Sequence, residues 1–112
     1  MTTVVIDKTK PKKFILKSTG HCSHDVCIAI TALINSIVQY ANDFADAERC
    51  TVDTVYDFGN VTLEVDFFNK FHKKDFIRGT DALINGLALY QHNFREDVLL
   101  KNKKHRGNIA KI

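Results

Sequence analysis

The sequence is poor in residues that break regular structure and in residues that cross-link a small fold. One Pro and five Gly among 112 residues leave no long flexible linker, which favours a single domain. Three Cys are an odd number, which argues against a disulfide framework and favours a reducing cytoplasm. No run approaches the ~20 apolar residues of a membrane-spanning helix, and the N-terminus has no signal-peptide pattern. With 45% hydrophobic residues, the chain can bury a core without metal or disulfides.

The formal net charge of +3 is unevenly distributed along the chain. Residues 1–17 hold five Lys and one Asp, and residues 101–112 hold five basic residues and no acid. Residues 18–100 hold six basic and twelve acidic side chains, so this part of the chain is acidic. A net positive charge is typical of proteins that bind nucleic acid, but here only the basic termini supply the positive charge. We expect a domain over 1–100 and a basic, mobile C-terminal tail over 101–112.

Four segments have the β-branched or alternating pattern of strands, and they form two predicted hairpins. The first hairpin turns through the lysines around Pro11, and the second turns at Phe58-Gly59-Asn60, because Gly tolerates a positive φ. A last short strand is predicted over 97–100. The four hairpin strands are predicted over 2–7, 14–19, 51–57 and 61–67.

Apolar side chains recur at helical spacing over 26–44 and over 71–94, which predicts two helices. The first is apolar around most of its surface, so it is either a central core helix or one partly buried by another subunit. Ser23 or Asp25 could cap its start. Gly79 and Gly86 weaken the second helix locally, which leaves a start near Thr80, as N-cap, as an alternative. The order ββαββα(β) predicts a single-domain, two-layer α+β sandwich, with two helices on one face of a mostly antiparallel sheet.

One stretch, residues 20–27 (GHCSHDVC), concentrates chemically active side chains just before the first helix. Cys27 would lie in the first turn, where free N–H groups and the helix dipole stabilise a thiolate nucleophile. His21 and His24 are both close enough in sequence to act as its base. The same N–H groups could stabilise the oxyanion of an acyl intermediate.

Two other interpretations of this stretch stay open. Zinc is the first, since His21, Cys22, His24 and Cys27 are all suitable ligands, although their spacing differs from common zinc modules. The second is purely structural, with Cys27 as a small buried side chain on a core helix. Four residues elsewhere are isolated and are interpreted as structural: Cys50, His72, His92 and His105.

The stretch resembles the ribosomal-processing cysteine proteases called Prp. Residues 18–22 (STGHC) are similar to the family's strand that ends in Gly-His-Ala, and residues 24–33 (HDVCIAITAL) are similar to its Asp-Ile-Val-Cys-Ala-Ala-x-Ser-Ala helix start. Only five residues separate His21 from Cys27, whereas the family has a longer, Gly-rich loop there. Thr31 stands at the position of the family's helix Ser. The resemblance extends over roughly residues 2–100.

This resemblance implies a homodimeric cysteine endopeptidase that removes a short segment from a ribosomal or phage structural protein. It implies that Cys27 is the nucleophile and His21 the general base. Supporting roles are expected for Gly20, His24, Asp25 and Thr31. The alternative is a catalytically inactive Prp-like homologue that acts as a dimeric binding or assembly module. We expect no cofactor, a cytoplasmic location, a peptide partner, no membrane partner, and nucleic acid only through the basic termini.

Overall fold

The computed structural model describes residues 1–21, 24–57 and 59–103, without the side chain of His24. In chain order, the elements are β1 (Thr2–Asp7), β2 (Lys13–Gly20), α1 (His24–Asp46), β3 (Cys50–Asp57), β4 (Asn60–Phe67), α2 (Lys70–Asn93) and β5 (Val98–Lys103). The predicted α+β class and the order ββαββαβ are confirmed. Neither helix in these described ranges is long and apolar enough to cross a membrane.

The strands form one mixed sheet in the order β3-β4-β2-β1-β5. Every neighbouring pair is antiparallel except β1 and β5, which run parallel with Thr2 beside Val98 and Asp7 beside Lys103. β4 and β5 also run in the same direction, so their connection is a long crossover rather than a tight turn, and α2 supplies it on the way to the far edge of the sheet. The last strand therefore lies beside the first, which sequence periodicity alone did not predict.

One face of the sheet is apolar and carries both helices. Alternate residues on each strand are buried, as in a half-buried sheet, and α1 and α2 pack on this face and on each other. The apolar face of α1 is accordingly buried within the chain, as expected for a central core helix. The core residues contributed by the central strands and α1 include Val4, Ile6, Phe14, Leu16, Leu63, Val65, Ile30, Ile34, Ile37 and Ala41.

The aromatic side chain of Phe76 on α2 joins the two layers. Its ring lies 5.0 Å from Phe14 on β2 and 5.3 Å from Phe67 on β4, measured between centroids. On the other side it lies 5.5 Å from Tyr40 and 5.4 Å from Phe44, both on α1. These tilted and edge-on arrangements are the favoured ones, because the electropositive edge of one ring meets the electronegative face of another. The side chain of Phe76, on α2, thus packs against both α1 and the sheet.

The start of α2 agrees with the helix predicted over 71–94 to within one residue and contradicts the alternative start near Thr80. The helix begins at Lys70, and its N-cap is Asn69, whose side chain accepts a hydrogen bond from the backbone N–H of His72 at 2.9 Å. Thr80 is not a cap: it is fully buried in mid-helix, and its hydroxyl donates to the Phe76 carbonyl at 2.9 Å. That bond satisfies the hydroxyl locally and so allows a Thr inside the core.

Gly79 and Gly86 serve the packing of the helices rather than marking a helix boundary. A Cβ on Gly79 would overlap the ring of Tyr40, and one on Gly86 would lie 3.2 Å from a methyl group of Leu33. Both glycines face α1, two helical turns apart, and their missing side chains let the helices approach. The low helix propensity of glycine therefore does not indicate a helix boundary at these two positions, because tertiary packing outweighs propensity.

The end of the sheet also differs from the prediction. β5 extends to Lys103, so the first three residues assigned to the C-terminal tail belong to the sheet. Residues 104–112 lie outside the described residues, and the division into a domain and a tail stays a prediction.

A buried lysine connects α2 to the β1–β2 turn. The ammonium group of Lys73 donates to the backbone carbonyls of Lys8, at 2.8 Å, and of Lys10. Burial lowers the pKa of Lys73, and the nearby carboxylate of Asp7 opposes that shift. The turn is thereby fixed to the first turns of α2.

We expect Gly79→Ala to destabilise the protein by about 1–3 kcal/mol, because Tyr40 must leave its packed position beside Phe44 and Phe76. Helix propensity alone predicts the opposite sign, a gain of about 1 kcal/mol. The measurement is urea unfolding. Gly86→Ala is the matched control and should cost less, since it meets only the rotatable end of Leu33. A rise in the free energy of unfolding of Gly79→Ala would contradict this account.

Candidate active site

The chain leaves β2 through a glycine that no other residue could replace without strain. Gly20 has a φ of 90°, and a Cβ there would overlap the Met1 carbonyl oxygen at the start of β1. Its backbone N–H donates to the side-chain carbonyl of Asn60 at 3.2 Å. Gly20 is thus held from both neighbouring strands, and this fixes where His21 begins.

His21 is exposed and lies beside the β3–β4 turn. A Cβ built on Gly59 would be 3.6 Å from Cε1 of the imidazole, an ordinary van der Waals distance. Gly59 has a φ of 83°, as predicted for the turn glycine. The imidazole therefore lies over a part of the turn that has no side chain of its own.

Cys27 is the fourth residue of α1 and is half-buried, with a free thiol. Its place in the first turn is confirmed, so the thiol lies at the positive end of the helix dipole. Asp25 lies one residue inside the helix start, where a carboxylate interacts favourably with the same dipole. Asp25 is therefore a first-turn residue and not the N-cap, which corrects one of the two capping predictions. Ser23, the other capping candidate, lies outside the described residues.

His21 and Cys27 line the same cavity, which has a volume of about 290 Å³. Gly20 and Thr31 line it as well, so four of the residues named from the sequence meet at one place. The cavity lies between the N-terminal half of α1 and the sheet, where β2 ends and β4 begins. Its remaining wall is formed by Ser18, Ile34, Asn35, Tyr56, Gly59 and Val61.

Sequence reasoning missed most of that wall. Ile34 and Asn35 follow Cys27 by seven and eight residues, so helical periodicity could have placed them on the same side of α1. Tyr56 and Val61 come from β3 and β4, and only the strand order brings them beside α1. No local signal in the sequence contains that information.

The zinc interpretation depends on residues that the structure leaves out. Cys22 lies outside the described residues, and so does the side chain of His24, which begins α1. Within the part of the chain that is described, no group of three His, Cys, Asp or Glu residues could hold a metal ion. The four-ligand zinc set therefore stays untested.

The second free thiol differs from Cys27 in its surroundings. Cys50 begins β3, is buried, and lies 3.7 Å from the Ala41 carbonyl oxygen. Burial raises the pKa of the Cys50 thiol, because a low-polarity environment disfavours the thiolate. Cys50 thus has the character of a structural core residue, as the sequence predicted.

Comparison with solved structures identifies the architecture around this cavity. The SMU.848 protein of Streptococcus mutans matches with a TM-score of 0.67 and 25% sequence identity, over 92% of this chain and 97% of that one. The essential ribosomal processing protease Prp of S. aureus, in complex with a covalently linked product peptide, matches with a TM-score of 0.67 and 19% identity, over 92% and 100%. The chain has the fold of the Prp protease.

A second S. aureus Prp structure, in complex with a substrate peptide, matches with a TM-score of 0.59 and 15% identity, over 92% of this chain and 100% of that one. The resemblance to Prp expected from residues 18–33 is confirmed at the level of the fold. No family model matches the sequence, and no curated protein matches it. Each of these matches extends over most of the chain.

We expect Asn60→Ala to loosen the β2–α1 junction, because Gly20 loses the acceptor for its N–H. The free energy of unfolding should fall by only about 0.5–1.5 kcal/mol, since the bond is exposed. The sensitive readout is the NMR linewidth and chemical shift of the His21 Cε1 proton, which should change markedly. Asn60→Asp retains an acceptor oxygen and is the control. If both variants leave the His21 signal equally unchanged, Asn60 does not position His21.

Proposed function

We propose that the protein is a cytoplasmic cysteine endopeptidase of Prp type, with Cys27 as nucleophile and His21 as general base. The observation that supports the proposal best is the cavity lined by both side chains. A thiol at a helix N-terminus, half-buried and facing a space large enough for a substrate group, has the surroundings of a reactive cysteine. The Prp-like fold around it supports the same reaction class.

In the proposed reaction, the imidazole of His21 takes the proton of the Cys27 thiol, and the thiolate attacks the scissile peptide carbonyl. The carbonyl oxygen becomes an oxyanion, which backbone N–H groups in the first turn of α1 would stabilise. The protonated His21 then gives its proton to the leaving amine. Water, deprotonated by His21, hydrolyses the thioester and restores the thiol.

Three further residues have proposed supporting roles around this pair. Asp25, in the first turn, would help orient an imidazole, and His24 is the second candidate base because the loop between His21 and Cys27 is short. Thr31 lies one turn after Cys27 on the cavity wall, where its hydroxyl could donate to a bound peptide.

The proposed substrate is an extended segment of a ribosomal or phage structural protein. The S. aureus Prp structures contain a substrate peptide and a covalently linked product peptide, which supports a peptide as the ligand here. Apolar side chains of Ile34, Tyr56 and Val61 line one part of the cavity, so a large apolar side chain of the segment would fit there. Residues 18–100 carry twelve acidic and six basic side chains, and this acidic part of the chain would favour a basic segment.

We also propose a homodimer, which the resemblance to Prp implies. The apolar side chain that α1 leaves available is Ile28, which follows Cys27 and is 57% exposed. A dimer that covers Ile28 would lie directly beside the proposed nucleophile.

The alternative is a catalytically inactive homologue that binds a peptide without cutting it. The observation that favours it is the short connection, five residues, between His21 and Cys27. A short connection limits how far the two side chains can rearrange around a substrate.

If Cys27 is the nucleophile, iodoacetamide at neutral pH should alkylate its thiol much faster than it alkylates the thiol of free glutathione, and faster than that of Cys50. The rates are measured by mass spectrometry in a Cys22→Ser background. His21→Ala should slow the modification at least several-fold, because the Cys27 thiol loses the base that accepts its proton and less thiolate forms. His92→Ala, an exposed histidine outside the cavity, is the matched control and should have no effect. If iodoacetamide alkylates Cys27 no faster than glutathione, both with and without His21, the proposed protease loses its main support.

Activity itself can be measured with a mixture of denatured bacterial ribosomal proteins and phage capsid proteins as substrate. We expect the full chain to generate new N-termini that mass spectrometry detects, and Cys27→Ala to generate none. Cys50→Ala serves as the control and should cleave like the unchanged protein. A reactive Cys27 without any cleavage, together with retention of peptides on the immobilised protein, would instead support the binding module.

A further inference from the structure

The end of the molecule opposite the cavity gathers the basic segments that are separate in the sequence. The backbone N–H of Lys8 donates to the Lys103 carbonyl at 2.8 Å, so the β1–β2 turn adjoins the end of β5. The N–H of Phe67 donates to the Lys12 carbonyl at 2.8 Å, so the same turn adjoins the end of β4 and the start of α2. Three stretches of the chain therefore meet here.

Five exposed lysines from these stretches form what we call the lysine surface. Their convergence is visible at one carboxylate: hydrogen bonds from Thr9 lower the pKa of Asp7 most, and the charges of Lys103 and Lys10 lower it further. Cations from β5 and from the β1–β2 turn thus act on one point. The lysine surface consists of Lys10, Lys12, Lys70, Lys74 and Lys103.

The lysines on α2 lie where they do not stabilise the helix. Lys70 and Lys74 fall within its first five residues, and its first turn contains no acid, although the positive end of a helix favours acids and disfavours cations. Lys73 is accounted for by its bonds to the turn carbonyls. Lys70 and Lys74 are exposed instead. Side chains that oppose local stability are typical of functional surfaces.

Two exposed aromatic residues lie at the start of α2, close to Lys70 in the sequence. Phe68 and Phe71, on either side of the start of α2, are 55% and 66% exposed. The ammonium group of Lys70 lies 5.5 Å from the centroid of the Phe71 ring, and the N–H of Phe68 donates to the Arg49 carbonyl at 3.1 Å. Flat apolar rings beside cations offer both a stacking platform and neutralising charge.

Acidic side chains also occur at this end of the molecule, so the positive charge of the lysine surface is not continuous. Asp7 accepts hydrogen bonds from Thr9, and Asp66 pairs with Lys13 at 3.4 Å, so both have partners of their own. Glu48 and Asp75 are exposed. A flexible polyanion can follow the lysines around such acids, whereas a rigid or planar one cannot.

We propose that the lysine surface, with Phe68 and Phe71, binds single-stranded nucleic acid, its phosphates on the lysines and its bases on the two rings. An acidic polypeptide would neutralise the lysines but has no regular succession of flat rings for Phe68 and Phe71. A duplex hides its base faces, and a membrane would need a continuous apolar projection instead of two rings separated by charge. Since the surface lies at the opposite end from the cavity, this binding is independent of the proposed protease.

The test uses the full chain and a fluorescein-labelled oligouridylate of roughly 20 nucleotides, with fluorescence anisotropy as the measurement and an oligothymidylate arm to distinguish RNA from DNA. Lys10→Gln/Lys12→Gln/Lys74→Gln should weaken binding at least ten-fold and reduce the salt slope by about 2, because each lost phosphate contact removes about 0.7. Phe68→Ala/Phe71→Ala should weaken it at least five-fold with the salt slope unchanged.

Two control proteins keep this test decisive. Lys17→Gln/Arg78→Gln/Arg95→Gln removes the same charge from outside the lysine surface and should bind nearly as tightly as the unchanged chain. Deletion of 104–112 should leave the effects of the lysine and phenylalanine variants intact. If both triple variants lose affinity equally, binding depends only on the net charge of the protein, and the proposal is overturned. Binding that depends on 104–112 alone would also overturn it.

Three competing ligands complete the test. A duplex of the same length and polyglutamate should both bind more weakly than the single strand. Tighter binding of either one, or binding to phosphatidylserine vesicles without binding to the oligonucleotides, would overturn the proposal.

Discussion

The ring of Phe76 is the contact on which the arrangement of this molecule depends. It lies against Phe14 and Phe67 of the sheet and against Tyr40 and Phe44 of α1, so it fixes the height and direction of α1 over the strands. Because α1 is held along its C-terminal half, its N-terminus projects over the ends of the central strands. The cavity lined by His21 and Cys27 is a consequence of that direction. Gly79 belongs to the same constraint, since its missing side chain leaves room for Tyr40.

The strand order gives the molecule two chemically different ends. The β2–α1 junction and the β3–β4 turn lie at one end, together with the cavity and its apolar wall of Ile34, Tyr56 and Val61. The β1–β2 turn, the start of α2 and the end of β5 lie at the other end, with the lysines. The parallel pairing of β1 with β5 is what joins basic segments that begin and end the described chain. A mixed sheet with two crossovers thus separates a proposed catalytic end from a proposed nucleic-acid-binding end.

Local signals in the sequence predicted every element of the fold to within a few residues, except where tertiary contacts reversed their meaning. Alternation placed β4, and apolar periodicity placed α1, because each pattern reports directly which side of the element is buried. The alternative start of α2 near Thr80 was wrong because Gly79, with its low helix propensity, and Thr80, with its capping side chain, both indicate a helix boundary when only local sequence is considered. In the folded chain, Gly79 makes room for Tyr40 and Thr80 bonds to the preceding turn. Asn69 was the true cap, and its Asn identity was the signal overlooked.

The sequence by itself determined the class of the fold, the two helices, the hairpin turn at Gly59 and the concentration of Gly20, His21 and Cys27 before a buried helix. These are properties of neighbouring residues, which backbone geometry and burial periodicity connect over short distances. Only the tertiary structure decided that β5 pairs with β1, that Tyr56 and Val61 complete the cavity, and that Lys10, Lys70 and Lys103 share one end. Each of these depends on contacts between residues far apart in the chain, and they form only when Phe76 and the rings around it pack the helices onto the sheet.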